Sequence, residues 1–192
     1  MISKKKSVYV GLAADLLHEG HINILKIAHR LGDVTVGLLT DKGISEYKKF
    51  PHLNYKQRLT VLKSIKYIKK IIPQESLDYS ENLKKIKPDF LVHGDDWKKG
   101  IQKSTRAKVI KILKKWGGKL VEPSYTKDIS SSLIKKKITE LGTTTDIRRA
   151  KLKRLISAKS IVRIIESHSA LSGLIIEKLN FYKGGTFYEF DG

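Results

Sequence analysis

Two histidines separated by a glutamate and a glycine, His18-Glu19-Gly20-His21, are the residues of this chain best placed to do chemistry. They stand between an apolar stretch, Ser7-Val-Tyr-Val-Gly-Leu-Ala13, and a helical stripe formed by Ile22, Leu25, Ile27, Ala28 and Leu31 that ends at Gly32. The pair therefore sits where a strand hands over to a helix. The first turn of a helix offers unbonded N–H groups and the positive end of the dipole, so it attracts phosphate, and two imidazoles three positions apart add further donors. Gly20 lets a ligand approach the backbone closely. Taken alone, the four residues could equally be a solvated loop with two incidental histidines.

The elements that must position this loop follow along the chain. Asp33-Val-Thr-Val-Gly-Leu-Leu39 reads as a second strand, then comes a polar loop from Thr40 to Pro51. Asn54 and Gln57 have the spacing of a helix cap and its partner, opening a helix over 55–65. Tyr67 to Ile72 reads as a third strand stopped by Pro73, with a short helix over 79–86. Asp89-Phe-Leu-Val-His93 is a fourth strand running into Gly94-Asp-Asp-Trp97. A basic helix over 104–116 closes at Gly117-Gly118, and Lys119 to Glu122 is a fifth strand halted by Pro123. This alternation predicts an α/β fold, a doubly wound, mostly parallel sheet with helices on both faces. Ligands of such sheets bind at the carboxyl ends of the strands, where the His18 loop, the Thr40 loop, Gly94-Asp95 and the segment after Pro123 all lie. In that last segment, Asp128-Ile-Ser-Ser-Ser-Leu-Ile134 opens a helix with three hydroxyls, enough to cap it and to touch phosphate.

Composition bounds the function. With 192 residues and 40% hydrophobic content the chain has room for one α/β domain and an appendage. It has no cysteine, which removes disulfides, thiolate metal sites and a cysteine nucleophile. Its start carries a basic cluster without an apolar signal segment and no run approaches a membrane span, so a cytoplasmic protein without membrane contact is expected. The net charge of +20 is spread along helices as solvated lysine faces; it suits an acidic, phosphate-rich substrate, and no aromatic-interleaved basic motif predicts a specific nucleic-acid partner. A zinc site at the histidines lacks a third ligand at suitable spacing.

The motifs together resemble the cytidylyltransferase family of the H-x-G-H nucleotidylyltransferase superfamily, with a Rossmann-like sheet. The resemblance spans residues 7–138. His18 to His21 match H-x-G-H, Asp15 matches the acid three positions before it, and Arg58 in Tyr55-Lys-Gln-Arg58 matches the family's nucleotide-side arginine. Gly94-Asp-Asp-Trp97 matches G-D-D-W, and Ile129-Ser130-Ser131-Ser132 stands where the family has I-S-T-S/T. The chain departs from the pattern at Tyr47-Lys48-Lys49, which keeps only part of K-x-K, at Lys66-Tyr-Ile-Lys69 in place of R-Y-V-D, and at Tyr125 in place of an arginine.

The resemblance implies CMP transfer from CTP to a small phosphonate or phosphate, with release of pyrophosphate. His18, His21 and Lys49 would be catalytic. Gly11, Ala13, Asp15, Gly20, Arg58, Gly94, Asp95, Ile129, Ser130, Ser131 and Ser132 would bind the nucleotide. Magnesium would be held mainly by the CTP phosphates, without protein metal ligands, in a homodimer. An adenylyltransferase of the same superfamily, a glycerol-3-phosphate or phosphoethanolamine acceptor, and a non-catalytic basic module that binds nucleic acid or a partner stay open.

Residues 1–141 are expected to form this domain and 142–192 a linker and extension. Glu166-Ser167-His168-Ser169 and the apolar residues around it resemble the opening of phosphoenolpyruvate mutase, which implies a short α/β extension like the start of a TIM-like barrel and a place in phosphonate biosynthesis. Such a barrel needs about 250 residues, so no mutase activity is expected from these residues alone.

Overall fold

A computed structural model describes residues 5–46, 51–98, 102–124, 126, 134, 145–183 and 186–190. Five strands, β1 (Ser7–Leu12), β2 (Asp33–Leu39), β3 (Lys70–Gln74), β4 (Phe90–Val92) and β5 (Lys119–Val121), form one sheet in the order β3-β2-β1-β4-β5. Every pairing in it is parallel. The doubly wound α/β sheet expected from the alternation is what forms. Five helices connect and follow the strands: α1 (Glu19–Leu31), α2 (Asp41–Ser45), α3 (Tyr55–Lys63), α4 (Ser80–Ile86) and α5 (Lys103–Leu113).

β1 lies at the centre because both its faces are apolar, and its residues Val8 to Leu12 are all buried. On one face Val8, Val10 and Leu12 pack with Leu25 and Ala28 of α1, Leu62 of α3, and Val34, Val36 and Leu38 of β2. On the other, Tyr9 packs with Tyr79, Leu83 of α4, Leu91, Trp97, and Val109 and Leu113 of α5. Burial of about 25 cal/mol per Å² on both faces is what ties the helices to the sheet.

The second face is crowded with aromatic rings, and two glycines make room for them. Gly11 and Gly37 stand side by side in the β1–β2 register. A Cβ on Gly37 would lie 1.8 Å from the Tyr9 hydroxyl oxygen, and one on Gly11 would lie 2.5 Å from the Tyr79 ring. Tyr9 donates to the side-chain carbonyl of Gln74, and Asn82 donates to both Tyr9 (3.2 Å) and Gln74 (2.8 Å). This polar cluster fastens α4 to the middle of β1 and the end of β3.

Several boundaries differ from the sequence expectation by a residue or two, and three differences have a clear physical reason. The third strand begins three residues later than Tyr67 and runs through Pro73, because β3 is the sheet edge and pairs only with β2, so the missing proline N–H costs no ladder bond. Asp41 to Ser45, expected within a polar loop, is a short helix capped by the Thr40 hydroxyl, which accepts from the Gly43 N–H at 3.1 Å. The basic helix ends at Leu113 and tightens into a 3₁₀ turn over Lys114–Trp116, which Gly117 closes at φ 79°.

After the sheet, α6 (Thr145–Ala158) packs against α2, with Leu155 buried at 4% exposure. Residues 159–168 belong to neither a helix nor a strand. Then α7 (Ala170–Lys178) starts at Ser169, and β6 (Asn180–Lys183) pairs antiparallel with β7 (Thr186–Glu189). The extension thus consists of a helix followed by an antiparallel hairpin. Among the described residues no helix is long and apolar enough to cross a membrane.

Candidate active site

In the order β3-β2-β1-β4-β5 the chain leaves β1 in opposite directions, so the carboxyl ends of β1 and β4 flank the switch point at which such sheets bind ligands. His18 and His21 stand on the β1 side. Ala14, at φ 51°, turns the chain out of the strand, and His18 caps α1 from an extended conformation. Its Nδ1 accepts from the Gly20 N–H at 3.2 Å, while Nδ1 of His21 accepts from the His18 N–H at 3.4 Å. The two rings are 4.0 Å apart, centre to centre.

The imidazoles thus form a reciprocal capping box, the role Asn54 and Gln57 fill at α3 with two bonds of 2.9 Å. An imidazole nitrogen that accepts from a backbone N–H carries no proton, so each neutral ring bears its proton on Nε2. Partial burial holds the His18 pKa below its ordinary value and favours that neutral form. Gly20 is buried against the His18 ring, where a Cβ would come within 3.0 Å of it.

The wall beside the histidines is fixed by buried charge. Arg58, fully buried on α3, donates through Nη1 to the carbonyls of Ala13 (2.5 Å) and Leu39 (2.7 Å), which end β1 and β2. Its Nε donates to the Leu53 carbonyl at 3.2 Å, and its Nη2 to Asp41 at 2.7 Å. Asp15, buried at 4% exposure, accepts from the Leu53 N–H at 2.9 Å. Arg58 therefore serves here as an internal brace: its guanidinium holds two strand ends, the 51–53 loop and the start of α2.

On the β4 side, Gly94 is buried and the Asp95 N–H donates to the Pro123 carbonyl at 3.2 Å. His93 stacks on Trp97 with ring centres 3.9 Å apart, and its Nδ1–H donates to the Gly94 carbonyl at 2.8 Å. The Trp97 indole donates to Glu122 at 2.7 Å, and Arg106 clasps the same carboxylate with bonds of 2.7 and 2.8 Å. These partners push the Glu122 carboxyl down to about 2, the Arg106 guanidinium contributing most. Tyr79 packs under Gly11 and lies within 6.4 Å of His93, linking the two sides beneath the crevice. From beyond β5, Thr126 reaches α1: its hydroxyl accepts from the Asn23 side chain at 3.3 Å, and its Cβ lies 3.6 Å from where a Gly20 Cβ would be.

The structure thus gathers His18, Gly20 and His21 at the start of α1, with Ala13 and Asp15 beside them and Gly94 and Asp95 at the end of the neighbouring strand. Lys49, Ile129, Ser130, Ser131 and Ser132 lie outside the described residues. Sequence reasoning missed Asp41 as the partner of Arg58; a Thr-Asp pair directly after a strand was its available signal. It also missed Glu122, Arg106 and Thr126, whose roles come from contacts distant in sequence.

Residues 9–150 match the cytidylyltransferase-like family. The chain belongs to that family. It is 38% identical over 85 residues to glycerol-3-phosphate cytidylyltransferase of Staphylococcus aureus, a match covering 43% of this chain and 64% of that protein. The chain thus spans just under two thirds of that relative's length. It is 35% identical over 97 residues to FAD synthase of Pyrococcus abyssi, covering 49% of this chain and 66% of the relative. Among solved structures it resembles a lipopolysaccharide core biosynthesis protein of Thermoplasma volcanium, with a TM-score of 0.55 and 26% identity over 64% of this chain and 98% of that one.

Proposed function

We propose that this chain transfers CMP from CTP to a small acceptor bearing a phosphate or phosphonate, releasing pyrophosphate. The observation that carries the reading is the imidazole pair capping α1 at the sheet's switch point, each Nδ1 accepting a backbone N–H and so leaving Nε2 to donate. An acceptor oxygen, already anionic at neutral pH, attacks the α-phosphorus. The new P–O bond forms as the bond to the β-phosphate bridging oxygen breaks, and that oxygen leaves with the electron pair as part of pyrophosphate. No protein nucleophile or strong base is required, so catalysis is positioning and charge neutralisation. His18 and His21 donate from Nε2 to phosphate oxygens as charge builds, beside the N–H groups of the first turn of α1.

Lys49, Ile129 and Ser130 to Ser132 complete the phosphate contacts in this reading, and Arg58 acts through the strand ends that it holds. Magnesium held by the CTP phosphates would supply further charge neutralisation there; among the described residues no three His, Asp or Glu side chains come together to hold it. A homodimer belongs to the same reading. Likeness to the Staphylococcus aureus relative supports glycerol 3-phosphate as acceptor, whereas the mutase-like residues around His168 support a phosphonate such as 2-hydroxyethylphosphonate or 2-aminoethylphosphonate. Likeness to an FAD synthase supports a second reading with ATP as the donor.

Pyrophosphate release with CTP or ATP, each against glycerol 3-phosphate, phosphoethanolamine and the two phosphonates, separates these readings. Release with CTP and one acceptor is the expected result. No release from any pairing, with tight and salt-sensitive RNA binding instead, would establish a non-catalytic basic module.

A further inference from the structure

We infer that Arg154, on the helix that follows the nucleotide-binding sheet, is a positioning residue for the nucleotide crevice; the inference rests on the transferase reading given above. Three contacts carry it. Arg154 Nη1 donates to the His52 carbonyl at 2.8 Å, and Nη2 lies 3.6 Å from Asp41 Oδ2. The other oxygen of Asp41 already accepts from the buried Arg58 at 2.7 Å. One carboxylate, 22% exposed, therefore joins a guanidinium from α3 to a guanidinium from α6.

The loop that Arg154 grips is the one the crevice leans on. His52 is bonded through its carbonyl to Arg154, and Leu53, the next residue, gives its N–H to Asp15 and its carbonyl to Arg58. Asp15 stands three positions before His18. Two consecutive peptides are thus tied to three side chains from three separate parts of the chain, a short, forked network of the kind that fixes a loop in one position. The apolar anchoring of α6 falls to Leu155, whereas Leu152 and Ile156 are 41% and 62% exposed. Docking of the helix and bracing of the loop are therefore assigned to adjacent residues and can be separated.

The test compares Arg154→Ala, Arg154→Lys and Leu155→Ala in the full chain. Arg154→Ala is expected to raise KM for CTP about tenfold with kcat changed by no more than about twofold, since the loop shapes the pocket and makes no bond to the reacting atoms. Arg154→Lys, which keeps the charge but not the fork, is expected to fall between it and the parent. Leu155→Ala is expected to lower Tm and leave KM unchanged. Amide hydrogen exchange without nucleotide is read on the same proteins, and Arg154→Ala should speed exchange at Leu53 and Asn54. An unchanged KM, or an equal rise in Leu155→Ala, would overturn the inference and leave Arg154 a docking contact. Should the parent release no pyrophosphate from CTP or ATP with any of the four acceptors, the transferase reading fails by itself. The exchange rates then decide the bracing: faster exchange upholds it and unchanged exchange overturns it.

Discussion

An imidazole that accepts a backbone hydrogen bond can do so only while neutral, so the capping geometry and the proposed chemistry at His18 share one protonation state. His18 titrates below 6.5 because partial burial disfavours its cation. Its contribution to stability is therefore fully present above pH 6.5 and is lost as pH falls from there through the lowered value, where the unfolded chain takes up the proton first. Turnover should follow the same direction. In a profile of kcat/KM for CTP, the acid limb assigned to His18 should lie below pH 6.5 and disappear in His18→Asn, whose amide does not titrate; a fall in kcat/KM as pH rises through the imidazole range, lost in that variant, would show the cation to be the active form. At this scale the sequence was legible for the histidines, because H-x-G-H is a local pattern whose spacing is itself the cap. It was less so for Arg58, where four residues of motif give no hint that its donors turn inward to Ala13, Leu39, Leu53 and Asp41.

Elements place these residues through contacts that local pattern does not encode. The turn after β4 is held in its course by Glu122, directly after β5, which takes a bond from Trp97 and two from Arg106 on α5. Since these partners depress the Glu122 carboxyl from 4.5 to about 2, the stability they confer is present above about pH 4.5 and drains away as pH falls towards 2. Glu122→Gln should lower Tm by several degrees at pH 7 and narrow the gap to the parent as pH drops from 4.5 to 2, as followed by thermal melts across that range. A gap that is constant with pH would mean that the carboxylate charge plays no part. The strands themselves were legible wherever apolar runs are bounded by Gly, Pro or Asp, as at β1, β2 and β4. The third strand was misplaced because Pro73 ends a central strand but not an edge strand, and edge position is decided by the order of the sheet, not by the stretch itself.

For the whole molecule, one topological fact does most to connect sequence and function: β1 is central and its neighbours leave it in opposite directions, so its carboxyl end opens on a crevice. The alternation of strands and helices predicts the parallel sheet and a ligand edge at its carboxyl ends, but not the strand order that puts β1 in the middle. The residues after Pro123 and the extension from α6 onward were harder to read, because Thr126 meets Asn23 and Arg154 meets His52 across about a hundred positions of chain, and such pairs leave no periodic trace.

The chain carries its own control for the central claim. Asn54 and Gln57 build at α3 the same capping box that His18 and His21 build at α1, without imidazoles. Converting α1 to that form, His18→Asn with His21→Gln, keeps a side-chain acceptor at the cap and a side chain reaching back to its N–H, while removing both Nε2 donors. The decisive measurement is kcat for pyrophosphate release from CTP by this double variant, alongside its Tm. The account predicts a Tm close to that of the parent and a kcat lower by about 10²–10³ or more, the loss typical of removing a single preorganised donor being a minimum here. Parent-like turnover from a folded double variant would contradict it.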